Sequence, residues 1–415
     1  MILSSEPISA SRSSQRPRVA AFGEWDTTNL GDRAIYEGVK HFFQEIDWEV
    51  VGYGLGTLSP VEQRADSPMR IPFDRGAIDT RSSLTDSMTH LKKRVKRPIR
   101  AIRQQLKIRA LMPELRTVDA ISVGGGALLA DQDLHFPQSL EAITWAAKRL
   151  QIPLFCLGCG SVQDWSAEGR AMIQQFAETC QFIAVRDAVT SERLTALLGR
   201  PIPIFGDFAL TLKEPIPDEA NDENRKAVAL NVMELFGEDQ LSQKQYESAL
   251  VNAIKHWLSQ AQNSENTRFI IFTTGNPEDI KPARRVFQEL STHPNVELHL
   301  PICMNDIHNI LTQVRVVISA RLHAAILAIS ETVPVISFAP GEVYRKNHNF
   351  FKSIGIAEYA ISTFAEDARD QLMHLLNQPQ PQLLSAQRSK LDLSSILKTR
   401  SDTCLQFRNL AALRH

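Results

Sequence analysis

The stretch VRVVISARLHAAILAIS, residues 314–330, is the clearest indication of the fold. Its first six residues form an apolar run rich in β-branched side chains, which predicts a buried strand. From Ala324 onward the apolar run continues as a buried helix. Arg321 and His323 interrupt it at the turn. A strand that passes directly into a buried helix is typical of a parallel α/β sheet, because parallel strands need helical crossovers.

The same alternation of strands and helices extends outward in both directions. PIPIFGDFAL, at 201–210, closes the first half, and AEYAIS, from Ala357, is a candidate last strand of the second. The other predicted strands begin at Arg18, Trp48, Asp119, Pro153, Phe182, Ala227, Arg268, Val296, Val314 and Pro334.

Two α/β halves of similar length predict two Rossmann-like domains that face a cleft, a GT-B-like arrangement. A polar stretch with two prolines separates the halves and predicts a linker. The predicted division is a flexible N-terminal tail over 1–17, a first domain over 18–212 with an insert over about 55–113, the linker over 213–226, a second domain over 227–362, and C-terminal helices over 363–415.

Composition excludes several classes of protein. The 415 residues are 43% hydrophobic with a formal net charge of −1, so a disordered chain is excluded and whole-chain nucleic-acid binding is not expected. No apolar run is long enough for a transmembrane helix, and the first 17 residues lack a signal-peptide core. Five scattered cysteines indicate a reducing, cytoplasmic compartment. The composition is compatible with a homo-oligomer.

The insert contains a strongly basic segment. Residues 92–109 hold nine Lys or Arg and no acid, with apolar residues between them. This pattern resembles an amphipathic helix attracted to anionic lipid on the inner face of the membrane. Pro98 is expected to break the start of that helix. A solvated surface helix or a flexible loop is the alternative interpretation.

Candidate site residues follow the predicted strands, because ligands of open parallel sheets bind at the carboxyl ends of strands. Asn29, Gly31 and Asp32 follow the first strand at a helix start that suits an anion, or they simply cap that helix. The triplet Gly124, Gly125 and Gly126 ends another strand and lets backbone approach a phosphate or carboxylate closely.

Cationic side chains end three further strands. Arg186 precedes Asp187, and it is either an anion ligand or one half of an internal ion pair. Arg321 suits a carboxylate or phosphate, and His323 suits proton transfer near neutral pH or a backbone hydrogen bond. Lys346 follows the strand at Pro334 and is a candidate phosphate contact or a solvated cation.

Several common sites are not supported. Neither the G-x-G-x-x-G fingerprint nor a P-loop occurs, so nicotinamide dinucleotide and P-loop chemistry are not expected. Cys156 and Cys159 form a C-x-x-C without a second pair, which favours structural cysteines over a zinc ribbon.

In order along the chain, these residues resemble the motifs of the polysaccharide pyruvyl transferase family. The matching segments are N-L-G-D-R-A-I at 29–35, the glycine triplet at 124–126, R-D-x-x-S-x-x-L at 186–194, D-F-A-L at 207–210, R-L-H-A at 321–324, V-P-V-I at 333–336, and Tyr344, Lys346, Phe350 and Gly355. Phe208 replaces a proline of the family pattern, the segment at 158–162 lacks another, and the Tyr-to-Lys spacing is shorter than usual.

The resemblance implies an enzyme of exopolysaccharide biosynthesis with phosphoenolpyruvate as donor substrate and a sugar, free or lipid-linked, as acceptor. The product is a pyruvate ketal, or less often the result of a carboxyvinyl-type transfer. His323, Arg321 and Asp32 are the expected catalytic residues, with Asp187 as the alternative to Asp32 for the second acid or base. No metal or cofactor is required, because Arg and Lys can neutralise the phosphate.

Two other functions stay open on the sequence alone. A GT-B glycosyltransferase with a nucleotide sugar shares the fold, although no acidic pair for a ribose is evident. A non-catalytic protein that binds a sugar or an anion is the second, and an intact Arg-Leu-His sequence argues against it.

Overall fold

A computed structural model of the protein describes residues 16–25, 27–61, 86–131, 134–161, 164–211, 225, 227–235, 240–260 and 267–413, without the side chains of 86–96 and of Gln240. Most of the predicted tail and linker therefore lies outside the described residues. The same holds for residues 62–85 of the predicted insert.

The first domain contains a five-stranded parallel sheet in the order β2-β1-β3-β4-β5. Its strands are β1 (Arg18–Gly23), β2 (Glu49–Gly54), β3 (Ala120–Gly124), β4 (Leu154–Cys159) and β5 (Phe182–Val185). Its helices are α1 (Leu30–Gln44), α2 (Asp86–Leu115), α3 (His135–Leu150), α4 (Ala167–Thr179) and α5 (Ala188–Leu198). The segment at 201–210 is not a strand; it forms a single bridge from Ile204 to Val185.

The second domain contains a six-stranded parallel sheet in the order β11-β10-β9-β6-β7-β8. Its strands are β6 (Ala227–Asn231), β7 (Phe269–Phe272), β8 (Val296–His299), β9 (Val314–Ser319), β10 (Val335–Ala339) and β11 (Ala360–Ser362). The helices are α6 (Gln240–Leu258), α7 (Ile280–Leu290), α8 (Met304–Leu311), α9 (Leu322–Ser330), α10 (Gly341–Ser353), α11 (Ala368–Leu376), α12 (Gln380–Lys390) and α13 (Ser394–Ala412). The predicted α/β class with two Rossmann-like sheets is confirmed.

Both faces of the first sheet are covered by helices. Val19 and Ala21 of β1 point into one apolar cluster, whereas Ala20 and Phe22 point into another on the opposite face. Alternate side chains of a strand point to opposite faces, so a strand buried on both faces must be apolar at every position. This explains why the central strands are continuous apolar runs.

The helix α2 differs from the sequence-based expectation. It continues through Pro98, so the prediction that this proline breaks the helix was wrong. A proline removes one backbone hydrogen bond. In α2 the side chains of Ile108 and Leu111 are buried, and Gln104 donates to the Gly56 carbonyl at 2.9 Å, so the contacts of α2 with the domain offset this loss. The carboxyl-terminal part of the predicted insert is thus the crossover helix between β2 and β3.

The last helix, α13, returns to the first domain. Its Phe407 ring packs against the rings of Phe43, Trp48 and Phe155, with centroids 4.9, 5.1 and 4.3 Å away. Residues at the end of the chain therefore complete the core of the domain at its beginning.

None of the helices within the described ranges combines the length and the apolar character needed to cross a membrane.

Candidate active site

The site forms where the carboxyl edges of the two sheets face each other. The Leu30 amide at the start of α1 donates to the Thr274 carbonyl after β7 at 2.7 Å. On the other side, the Ala188 amide at the start of α5 donates to the Ser353 hydroxyl of α10 at 2.9 Å. Turns of both domains therefore contribute side chains to one place.

The turn after β1 starts α1 and brings a carboxylate to the site. Asn29 caps the helix, and its side-chain oxygen accepts a hydrogen bond from the Gly31 amide at 3.0 Å. Asn29 therefore caps α1, which is the alternative interpretation of this residue. Asp32, in the first turn of α1, is close enough to His323 and Lys346 of the second domain for both to favour its ionised form.

His323 lies in the first turn of α9, between Gly31 and Asp207. A Cβ atom on Gly31 would overlap the imidazole ring at Nδ1, so this position accepts no side chain while His323 keeps its place. On the opposite edge of the ring, Nε2 lies 3.7 Å from Oδ2 of Asp207. Both atoms are buried and neither has a hydrogen-bond partner among the described residues. A small movement would bring them into hydrogen-bond distance.

Asp207 is fully buried in the loop that follows α5. Burial opposes its ionisation, but the His323 ring, the Arg186 guanidinium and the Ala209 amide outweigh burial and hold its pKa below the usual value. Asp207 is therefore a carboxylate that can orient His323 and stabilise its protonated form.

Arg321 is held by a carboxylate that sequence reasoning did not identify. Its Nε and Nη2 atoms donate to Asp279 at 2.9 and 2.6 Å, and the Asp279 side chain has no solvent exposure. The Asp279 carboxylate also accepts the Glu234 amide at 2.8 Å. Burial raises the pKa of Asp279, even though Arg321 and this amide act to lower it. The ion pair fixes the direction of Arg321 at the end of β9.

Arg186 forms the internal pair that was considered as an alternative. Its Nε donates to Asp187 at 3.1 Å, and Asp187 in turn caps α5 through the Thr190 amide at 2.9 Å. Gly160 leaves room for the guanidinium, because a Cβ there would overlap it. The Nη1 atom is buried and has no partner within the described part of the chain. One donor of Arg186 thus stays available to an anion.

Lys346, on α10, carries a charge that no ion pair balances. No carboxylate of the described ranges lies within salt-bridge distance of its ammonium group. Burial and the nearby Arg186 and Arg321 lower the pKa of Lys346 to about 8, against a smaller raising effect of Asp32 and Asp207. The lysine is therefore mostly protonated at pH 7, and an anion beside it would favour that state further.

Glu24 directly follows β1 and is a further acidic group, close enough to Asp32 and Lys346 for both charges to act on it. It has an open path to solvent, yet desolvation by the surrounding protein and the Asp32 carboxylate raise its pKa to about 7, against a smaller lowering by Lys346. Burial also raises the pKa of Asp32, with His323 and Lys346 acting against it. Glu24 can therefore exchange a proton near neutral pH, and the protonated form of Asp32 is favoured more than in an exposed aspartate.

The glycine triplet is at the end of β3, the strand next to β1 in the first sheet. The Gly125 amide donates to the Leu157 carbonyl at 3.1 Å, and the Gly126 carbonyl accepts the Gly160 amide at 2.7 Å. Gly125 has a φ of 76° and its α-carbon packs on Ile35 of α1. The triplet thus brings α1 close to the sheet edge.

The structure brings together most of the residues predicted from the sequence and adds three that the prediction missed. Glu24, Asp207 and Asp279 were not selected as site residues. Glu24 could have been found, because it directly follows the first strand. Asp207 stands in the D-F-A-L segment, but nothing in the sequence indicates that it faces His323. Asp279 is separated from Arg321 by 42 positions, and only folding pairs them.

Within the described residues, no three His, Cys, Asp or Glu side chains are grouped as a metal site. Cys156 and Cys159 are buried in β4 without a disulfide, and the Cys159 thiol donates to the Val123 carbonyl at 3.6 Å. The Arg and Lys side chains of the candidate site can bind an anion, and its His, Asp and Glu side chains can transfer protons.

The sequence model of a family described as polysaccharide pyruvyl transferase matches residues 29–342. That range includes every site residue except Glu24 and Lys346. A search of curated protein sequences finds no match to this chain.

Solved structures resemble the fold at low sequence identity. A putative UDP-N-acetylglucosamine 2-epimerase from Listeria monocytogenes has a TM-score of 0.57 at 14% identity, over 95% of this chain and 98% of that chain. UDP-GlcNAc 2-epimerase from Neisseria meningitidis bound to UDP-GlcNAc has a TM-score of 0.52 at 12% identity, over 94% and 100%. The S. aureus MnaA–UDP co-structure has a TM-score of 0.51 at 14% identity, over 91% and 92%. These likenesses confirm the two-domain GT-B-like fold.

Proposed function

We propose that this chain, which belongs to the polysaccharide pyruvyl transferase family and is a transferase, moves the pyruvate group of phosphoenolpyruvate to a sugar acceptor. The observation that carries the proposal is the meeting of Arg186, Arg321 and Lys346 with His323 where the two sheets face each other. Phosphoenolpyruvate has a carboxylate and a phosphate, and cations of this kind suit both.

Lys346 is the residue best suited to the phosphate. Arg321 and Arg186 each form an ion pair with an aspartate, whereas no carboxylate of the described residues lies within salt-bridge distance of Lys346. The unpartnered Nη1 of Arg186 suits the carboxylate as a directional donor. The phosphate would then lie beside His323, which places the reacting carbon next to a proton carrier.

The reaction forms two carbon–oxygen bonds and breaks one. A sugar hydroxyl attacks C2 of phosphoenolpyruvate and gives its proton to a base, while C3 takes up a proton from an acid and becomes a methyl group. The C2–O bond to the phosphate then breaks, and the phosphate leaves with the electron pair. A second hydroxyl of the sugar adds to C2 and loses its proton, which closes the ketal and gives inorganic phosphate.

We assign proton transfer to His323, Glu24 and Asp32. Because Asp207 faces Nε2, the Nδ1 atom beside Gly31 is the nitrogen left for the substrate. Glu24 and Asp32 interact with each other and with Lys346 and have raised pKa values, so they suit removal of hydroxyl protons and hydrogen bonding to the sugar.

The direct test is a titration of the purified protein with phosphoenolpyruvate, followed by thermal shift and calorimetry. We expect a rise in Tm that saturates, because a ligand that binds only the native state stabilises it. In Lys346→Met, the affinity should fall about 10- to 100-fold, as expected for loss of a charged hydrogen bond. Lys352→Met, in the last turn of the same helix, should bind as the wild type does.

The affinity should also depend on pH with a defined sign. Lys346 loses its charge as pH rises through about 8, so the Kd for phosphoenolpyruvate should increase roughly tenfold from pH 7 to pH 9. Glu24, Asp32 and Asp207 also face this group, and the Lys346→Arg variant separates their contribution because arginine stays charged. A titration that is flat in the wild type, or a Tm shift with UDP-glucose and none with phosphoenolpyruvate, would contradict the proposal.

We further propose that the protein works in exopolysaccharide biosynthesis in the cytoplasm on a lipid-linked acceptor, in peripheral contact with the membrane through α2. On the outer face of α2, Ile99, Ile102 and Leu106 are 46, 61 and 60% exposed at positions i, i+3 and i+7. Arg103 and Lys107 lie beside this stripe. An apolar stripe with basic neighbours is the pattern of a helix that lies on anionic lipid. The basic side chains at 92–96 lie outside the described residues.

Binding to vesicles tests the α2 surface. Replacing Arg103 and Lys107 by Gln should weaken binding to phosphatidylglycerol vesicles about 30-fold, at roughly 1 kcal/mol for each basic residue. Changing Ile99, Ile102 and Leu106 together to Gln should abolish it. Leu405→Gln on α13, where Leu405 is 57% exposed, is the matched control. Equal binding of all variants, or equal binding to phosphatidylcholine vesicles, would exclude an anionic membrane as the partner.

A further inference from the structure

The C-terminal helix α13 reaches the loop that carries Asp207. Arg400 donates to the carbonyl of Asp207 at 2.6 Å, and to the carbonyls of Leu210 and Phe205 at 3.1 and 3.2 Å. Its guanidinium also lies over the Phe205 ring, 5.1 Å from the centroid. A single side chain thus holds three backbone acceptors of one loop.

The loop has little regular structure of its own. Besides the bridge from Ile204 to Val185, the Ala209 amide donates to the Asp207 carboxylate at 2.9 Å and the Leu210 amide to the Asp207 carbonyl at 3.1 Å. The Ser330 hydroxyl of α9 also donates to the Ala209 carbonyl at 3.2 Å. Gly206 has a φ of 81°, and its α-carbon packs on Ile396 of α13. Contacts from α13 therefore act together with those of α9 and β5 on a loop whose carboxylate faces His323, and Arg400 alone bonds three of its carbonyls.

We propose that Arg400 is a positioning residue of the active site, which holds the Asp207 carboxylate against Nε2 of His323. Its catalytic consequence rests on the function proposed above. The guanidinium suits this role because its donors sit on three nitrogens of one rigid plane, each of which reaches a different carbonyl, whereas the donors of an ammonium group all diverge from a single nitrogen. Arg400 lies beyond residue 342, where the family match ends, so this contribution comes from a part of the chain that the family model does not include.

The geometry predicts a loss in turnover larger than any loss in donor binding. The gap between His323 and Asp207 is already 3.7 Å, so a small displacement of the loop separates the pair. A misplacement of about 1 Å can cost about 10²-fold in rate. Within the described residues, the hydrogen bonds of Arg400 go to the Asp207 loop and none goes to Arg186, Arg321 or Lys346, so donor affinity should change much less than turnover.

The test compares Arg400→Lys, which keeps the charge, with Arg400→Ala, and uses the exposed Arg408→Ala on the same helix as a control. Hydrogen exchange at the amides of Ala209 and Leu210 should be at least about tenfold faster in both Arg400 variants and unchanged in the control. The release of phosphate from phosphoenolpyruvate, with the sugar that supports it, should show kcat lowered about 10²-fold and KM for the donor within about twofold. Added guanidinium should restore part of kcat to Arg400→Ala and none to Arg400→Lys.

Three results would overturn the proposal. Unchanged exchange in the Arg400 variants would show that the loop holds itself. Faster exchange with an unchanged kcat would show that the loop position does not matter for turnover. A normal kcat in Arg400→Lys would show that charge alone is required. If the wild-type protein neither binds nor turns over phosphoenolpyruvate, the proposed function fails, whereas the exchange data still decide whether Arg400 holds the loop.

Discussion

Replacement of His323 by Gln should lower kcat by about 10²- to 10⁴-fold while the Kd for phosphoenolpyruvate changes by less than about threefold. Glutamine has a similar reach and can accept or donate a hydrogen bond, but it does not transfer protons near neutral pH. The donor-binding charges of Lys346 and Arg186 remain in place, so binding and turnover should separate. Initial rates of phosphate release and calorimetry measure the two quantities.

Two companion variants make this result specific. His41→Gln changes an exposed histidine on α1 and should leave both quantities unchanged. Gly31→Ala should lower kcat almost as much as His323→Gln, because the added methyl group overlaps the imidazole and forces it out of line with Asp207. If His323→Gln keeps more than a tenth of the wild-type kcat, His323 is not the proton carrier.

Replacement of Arg321 by Met should destabilise the protein by about 3–5 kcal/mol, because it leaves the Asp279 carboxylate buried without its partner. The deficit should shrink as pH falls. The pKa of Asp279 is already raised in the folded state and rises further without Arg321, so the folded variant binds a proton that the unfolded chain binds only at lower pH. Denaturant unfolding at pH 5 and pH 8 measures the difference.

The double variant Arg321→Met/Asp279→Asn separates stability from function. Asparagine removes the buried charge and can still accept the Glu234 amide, so most of the lost stability should return. Phosphoenolpyruvate affinity should stay low, because the arginine is still absent. Recovery of donor binding together with stability would mean that Arg321 only supports the fold.

This pairing changes how substitutions of Arg321 are interpreted. Loss of ligand binding in Arg321→Ala alone has two causes, a missing anion ligand and a buried carboxylate without a counter-charge. The double variant is therefore the informative comparison, and Asp279→Asn alone completes the cycle.

The α/β class, the two parallel sheets and the place of most site residues follow from local patterns. Apolar runs such as 314–319 bury both faces of a strand, and the turn that follows must lie at a carboxyl edge of a sheet, whatever the rest of the chain does. This is why local sequence patterns are sufficient to select His323, Asp32 and Lys346 as candidates, and the fold brings these three side chains close together. The family resemblance added the donor and the expected chemistry.

The tertiary structure decided which of these side chains are paired and which remain available. Arg321 and Arg186 are each held by an aspartate, whereas no carboxylate of the described residues lies within salt-bridge distance of Lys346. The reason is that hydrogen bonds and ion pairs between residues far apart in sequence depend on the packing of whole elements, and local periodicity has no information about it. The contact of α13 with the first domain, including the hydrogen bonds of Arg400 to the Asp207 loop, also depends on the packing of elements that lie far apart in the sequence.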